Sequence, residues 1–340
     1  VDPRQPLPRL TPKDFRDAVK GVLTNLGVSA QTQTALAGAL SALQVQGRVD
    51  AFFNGAFGKY TVGGVEVKVA PFFRMTNGVG KNTEAAKAAM FKLLGWRTPA
   101  FNMAVSNCAY GRCSAAELQM VTQALIDKGK LDEVRAKYNA MSDADFRASH
   151  GSASRPLSDE NAIKLLQFDH GIGMDCAGYV QQAFLDVHGG TRQNWGFDPR
   201  MGWEDLSDLK GNPAFDRTTT PVNAVPGDLI FLSAPARNDV GHTVLVRDRS
   251  ELSAADRSAL TGVATFAASG DKLHRIEVHG SWGARFGDLD KGGLQSRVFL
   301  YNEDSGQWAD VKHDGSVVQH PKGPYNHPLE GIYHPKRSFR

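Results

Sequence analysis

The chain has 340 residues, a formal net charge of +3, 41% hydrophobic residues and 22% charged residues. That length accommodates two domains, each able to bury its own core, and the balance is ordinary for a soluble globular protein. The mild positive charge favours anionic walls or membranes only weakly and gives no basis for nucleic-acid binding. No apolar run approaches the roughly 18 residues a bilayer-spanning helix needs. Val1 opens the chain without a signal segment, as expected of a mature or trimmed form.

In chain order, residues 11–27 read as a helix with Thr11 as its cap, Pro12 in its first position and Asp14 in its first turn. Residues 30–46 give a second helix, rich in Ala and Leu. Lys59 to Ala70 alternates around Gly63-Gly64, a β-hairpin pattern. Gly78-Val79-Gly80-Lys81-Asn82-Thr83 has the wrong spacing for a phosphate loop and reads as a turn into a helix over 83–94. Further helices are expected at 114–128, opened by the capping box Ser114…Glu117, and at 130–140 and 142–149. The stretch His150-Gly151-Ser152-Ala153-Ser154-Arg155-Pro156 is the linker candidate. Residues 1–149 thus form a mostly helical domain with no readable chemistry, and 150–340 a second domain.

The second domain carries the chemistry. From Cys176, apolar residues recur as Tyr179, Val180, Ala183, Phe184 and Val187, the spacing of one buried helical face. Asp175 stands at the N-cap position, and Gly171 and Gly173 permit a tight approach. Unpaired N–H groups and the macrodipole at a helix N-terminus favour a thiolate over a thiol. Asp175 has two readings, an N-cap or a carboxylate that holds a substrate amine.

Pro226-Gly227-Asp228 reads as a turn, followed by the short buried strand Leu229-Ile230-Phe231-Leu232. After the turn-rich stretch 233–240, His242 opens another strand. Alternation puts His242, Val244 and Val246 on one face and Thr243, Leu245 and Arg247 on the other. The strand Arg275 to His279 is expected to pair antiparallel with it, setting His279 beside His242. Ser250 to Lys272, rich in Ala, Ser and Asp, reads as an insertion with a short helix.

The ordered set Asp-Cys-Ala-Gly-Tyr-Val, Pro-Gly-Asp-Leu-Ile-Phe, Gly-His-Thr-Val-Leu-Val and Val-His-Gly-Ser resembles the NlpC-type cell-wall cysteine peptidases of the papain-like clan. The likeness spans about residues 168–283. It implies an α+β fold in which an antiparallel sheet is packed by the nucleophile helix. It also implies hydrolysis of amide bonds in peptidoglycan stem peptides. Cys176 would be the nucleophile, His242 the general base and His279 the orienting residue, with Glu277 as the fallback third member. Asp175 and Ala177 would border the substrate. The resemblance implies a periplasmic or secreted location and no cofactor. Two departures bear on the substrate cleft: Ala177 replaces the family's serine, and Phe168-Asp169-His170-Gly171-Ile172-Gly173 replaces an aromatic followed by paired glycines. They leave open which bond is cut, and with it two alternatives: a thiol-dependent acyl or amide transferase, or an inactive wall-binding relative.

The remaining motifs are weaker. His313, His320, His327 and His334 recur every seven residues among prolines that prevent a helix from aligning them, so no metal site is expected. Cys108 and Cys113 either close a small disulfide, leaving Cys176 free, or are reduced with it. Trp195, Trp203 and Trp282 read as packing residues, with a glycan-stacking cleft as the alternative. A hairpin from Arg297–Tyr301 to Gln307–Val311 and a last strand near Leu329–Tyr333 complete the sheet.

Overall fold

The computed structural model describes residues 12–72, 80–151, 154–196, 211–233, 241–282, 289, 292–312, 314–320, 323, 324 and 327–336. The first part is mostly helical: α1 (Pro12–Asn25), α2 (Ala30–Gly55), the hairpin β1 (Gly58–Val62) and β2 (Val65–Val69), then α3 (Gly80–Leu94), α4 (Pro99–Ala109), α5 (Ala115–Ile126), α6 (Lys130–Asn139) and α7 (Asp143–His150). Helices α8 (Asp159–Asp169) and α9 (Cys176–His188) follow. Then come β3 (Phe215–Thr218), β4 (Leu229–Leu232), β5 (His242–Glu251), α10 (Ala254–Ser258), α11 (Val263–Phe266), β6 (Leu273–Trp282), β7 (Gly293–Asn302), β8 (Trp308–Val311), β9 (Val317–His320) and β10 (Leu329–Pro335).

The architecture is α+β. Among the described residues the C-terminal strands form an eight-stranded antiparallel sheet in the order β3-β10-β4-β5-β6-β7-β8-β9. Strand β10 returns from the chain's end to lie between β3 and β4, so the last strand is interior and β3 forms that edge of the sheet. The β1–β2 hairpin turns at Gly63-Gly64, both with positive φ, as that tight turn requires. Helix α5 starts on the capping box of Ser114 and Glu117. The insertion between β5 and β6 holds two short helices, α10 and α11, rather than one.

Helix α2 runs nine residues past position 46. Val45 and Val49 are buried, and Phe52 and Phe53 pack beside them, continuing the apolar stripe at helical spacing. That stripe lies against α9 and the sheet, sharing a core with Tyr179, Phe184, Trp195, Leu229 and Leu245. Conversely, α8 packs with the earlier helices: Ile163 and Leu166 join Phe72, Met90, Leu118 and Tyr138. The buried Gln167 amide accepts from Phe72 N–H at 2.9 Å and donates to Tyr60 Oη at 3.1 Å, its polar atoms satisfied across three elements. Packing therefore crosses residue 150 in both directions. His150 itself is buried among Tyr138, Phe146 and Phe168 instead of lying in a linker. Residues 152 and 153 of that stretch, with 78 and 79, 234–240, Trp203, His313 and the cap Thr11, lie outside the described residues.

The other face of the sheet is lined by Ile230, Val244, Val246, Val278, Trp282 and Phe299. Residues of β5 thus divide between the two faces by strict alternation, Leu245 toward α9 and Val244 and Val246 away from it.

Candidate active site

The segment before α9 is clamped from three sides. Gly173 N–H donates to Cys108 O at 3.3 Å, Met174 N–H to Phe72 O at 3.0 Å, and Asp175 N–H to Gly111 O at 2.9 Å. The Cys113 thiol donates to Gly173 O at 3.2 Å, and the Ser281 hydroxyl of β6 donates to Met174 O. Two glycines make this closeness possible. Gly111, at φ +74°, would drive a Cβ to 2.8 Å from the Asp175 carboxylate, and a Cβ on Gly178 would run into the Gly111 carbonyl. Asp175 is the N-cap of α9, its Oδ1 accepting from Gly178 N–H at 2.5 Å.

Cys176 therefore opens α9 as the sequence indicates, partly exposed and free. Its acidity is the reverse of what the helix terminus alone would give. Burial, then the adjacent Asp175 carboxylate, push the thiol up to about 12. The backbone N–H groups of Thr243, Ala177 and Cys176 itself oppose that shift without overcoming it. Desolvation outweighs the helix N-terminus, so the resting group is a thiol set among three donors. Ala177 is buried in the first turn, its N–H rather than its side chain reaching the sulfur.

His242 begins β5, as expected, and is buried. Its ring packs on Trp282, centroids 4.2 Å apart, on the sheet face turned away from α9. Its Nε2 meets no hydrogen-bond partner among the described residues. Burial, with the charges of Arg297 and His327, depresses its pKa to about 3, so the imidazole is neutral.

His279 is also buried, but it does not lie beside His242. Strands β5 and β6 pair antiparallel, with Leu245 opposite His279 and Val246 opposite Val278. Continuing that register sets His242 opposite Trp282, three residues beyond His279. An odd offset along a strand means opposite faces. His279 points to the α9 side, its ring tilted 30° against Phe53 of α2 with centroids 4.0 Å apart, its Nε2 4.0 Å from Asp50 Oδ1. Burial lowers its pKa to about 4, against the pull of Asp50.

Asp50 is a residue the local sequence pattern did not single out, although a carboxylate between Val49 and Phe52-Phe53 was its sign. It accepts from Arg247 Nε at 2.6 Å and Nη2 at 3.1 Å. Arg247 Nη1 also donates to Glu277 at 2.8 Å, as Arg275 does at 2.9 Å. Burial raises the Glu277 carboxyl, but Arg275 and Arg247 outweigh it and hold it below its usual value. Glu277 is thus occupied by arginines.

Cys108 and Cys113 are free, buried thiols in contact with each other; burial and Cys113 push the Cys108 thiol up. Trp195 is core, its Nε1–H donating to Gly189 O at 2.7 Å. His320, His327 and His334 go to separate partners: Asp310 at 2.6 Å, Ser233 O at 3.0 Å and Asp228 at 2.7 Å. Among the described residues no group of three or more His, Cys, Asp or Glu is placed to hold a metal ion, and no helix is long and apolar enough to cross a membrane.

Comparison of the chain with family models, with curated proteins and with solved structures found no match in any of the three.

Proposed function

We propose that this protein is a cysteine hydrolase that cleaves amide bonds in peptidoglycan stem peptides through an acyl-enzyme formed on Cys176. The observation that carries the reading is the thiol's setting: a partly exposed cysteine at a helix start, its thiol faced by the N–H groups of Cys176, Ala177 and Thr243. Donors gathered there suit the negative charge that develops on the carbonyl oxygen during acyl transfer.

The base is assigned by the side of the sheet. His279 shares the α9-facing side with Cys176, is neutral near pH 7, and has the Asp50 carboxylate to orient it. In the proposed step His279 takes the thiol proton and Sγ bonds to the carbonyl carbon. The C–N bond breaks as the imidazolium returns that proton to the leaving amine. Water, deprotonated by the same imidazole, then hydrolyses the thioester and restores the thiol. His242, the base implied by the family resemblance, becomes in this assignment a packing residue that sets the start of β5 and hence the Thr243 N–H. A wall substrate goes with a periplasmic or secreted protein.

A second reading, a wall-binding relative without catalysis, is favoured by the raised thiol pKa and by the two imidazoles facing opposite ways. Mass spectrometry of peptidoglycan fragments incubated with wild type and Cys176→Ala separates the two. Peptide products made only by wild type support the hydrolase and identify the scissile bond. No products from any wall chemotype leave the binding module.

A further inference from the structure

The surface of α3 carries an open groove of about 520 Å³ lined by Glu84, Lys87, Ala88, Phe91, Lys92 and Trp96. Gly95, at φ +75°, ends α3 by donating to Phe91 O at 2.9 Å and folds the chain back. Trp96 consequently lies flat on Phe91, ring centroids 4.2 Å apart and planes within 5°. The tryptophan remains 75% exposed, the most exposed of the large apolar residues described. Core packing does not account for an indole stacked on one face and open to solvent on the rest.

The groove's rim is polar and of both signs. Lys87 Nζ donates to Glu84 at 3.0 Å, and Glu84 also accepts from the Tyr110 hydroxyl. A flat aromatic platform beside hydroxyl-binding acceptors and donors is the surface a pyranose needs: C–H groups against the ring, hydroxyl and acetamido groups at the edge. The volume lies within the range of small-molecule sites.

Its position links it to Cys176. Tyr110, which holds Glu84, precedes Gly111, whose carbonyl receives Asp175 N–H immediately before the thiol. Ala86 of α3 lies 3.1 Å from where a Cβ of Gly171 would be, so α3 packs on the same loop. We propose that this groove is a saccharide subsite that binds β-linked N-acetylhexosamine units, holding the glycan strand while its stem peptide reaches Cys176. The subsite rests on the wall-hydrolase reading for its role in catalysis, but binding itself requires no hydrolysis.

The test uses the full chain carrying Cys176→Ala and titrates chitotetraose, followed by isothermal titration calorimetry, which does not depend on Trp96 as a reporter. Saturable binding is expected, weakened about tenfold or more by Trp96→Ala and largely kept by Trp96→Phe, which retains an aromatic face. Circular dichroism of the Trp96 variants should match the parent, since the side chain is exposed. No saturable binding by the parent, or binding indifferent to Trp96→Ala, overturns the subsite. A chain that binds through Trp96 yet cleaves no wall peptide keeps the subsite and refutes the hydrolase. A chain that cleaves glycan-free stem peptides but does not bind chitotetraose does the opposite.

Discussion

His279 stands opposite Leu245 in the β5–β6 ladder, and that register turns its imidazole to the face opposite the one His242 occupies. The two histidines therefore serve different surroundings: Phe53 and Asp50 for one, Trp282 for the other. Only His279 looks toward the side on which α9 brings Cys176.

That division predicts unequal effects on turnover. His279→Gln should lower kcat on stem-peptide substrates by about 10²-fold or more, the usual cost of removing a general base. His242→Gln should cost much less and act mainly through stability. Steady-state kinetics of both variants checks this; the reverse ranking would return the base to His242.

Asp50 raises the His279 pKa within a setting where burial lowers it. Asp50→Asn should therefore move the acid limb of the kcat/KM profile to lower pH while reducing the rate. A purely structural role, through Arg247, would lower the rate without moving that limb. The pH profile of the variant distinguishes them.

The thiol's high pKa has a direct kinetic signature. Iodoacetamide should alkylate Cys176 slowly at pH 7, with the rate rising about tenfold per pH unit up to pH 9, because thiolate is the reacting form. A reactivity plateau below pH 7 would instead reveal a preformed thiolate–imidazolium pair. Asp175→Asn removes one cause of the raised pKa while keeping a cap-competent side chain, so alkylation at pH 8 should quicken.

Acid should destabilise the fold through its buried imidazoles. Both His242 and His279 have folded pKa values below the unfolded value of about 6.5, so the unfolded chain binds more protons as pH falls. Their contribution is fully present above pH 6.5 and is lost on acidification through about pH 4 for His279 and about pH 3 for His242. By pH 5 the loss is about 2 kcal/mol per imidazole. Urea titrations at pH 7 and 5 should show a smaller difference for His242→Leu than for wild type.

Gly178→Ala should cost about 3 kcal/mol, since its Cβ has no room beside the Gly111 carbonyl and the neighbour is backbone. The expected readout is a lower thermal midpoint together with lost activity, because the clash displaces the cap that positions Cys176. Gly270→Ala, where nothing lies within 4 Å, is the matching control and should be close to neutral.

Local chemistry made much of this protein legible from sequence. Ser114 and Glu117 announced a helix start, Gly63-Gly64 a hairpin, and the Tyr179–Val187 stripe a buried helix behind Cys176, because caps, turns and periodicity act over a few neighbouring residues. Alternation along β5 correctly separated His242 from Leu245. Long-range relationships were not legible. The β5–β6 register depends on side chains from two strands and a bulge after Val246, and a shift of one residue reverses every face. Asp50 reached His279 only because α2 continued to Gly55 and packed its Phe52-Phe53 end on α9 and the sheet. The acidity of Cys176 likewise depended on tertiary burial: the sequence determined a thiol at a helix N-terminus, and desolvation by the packed sheet decided that it stays protonated.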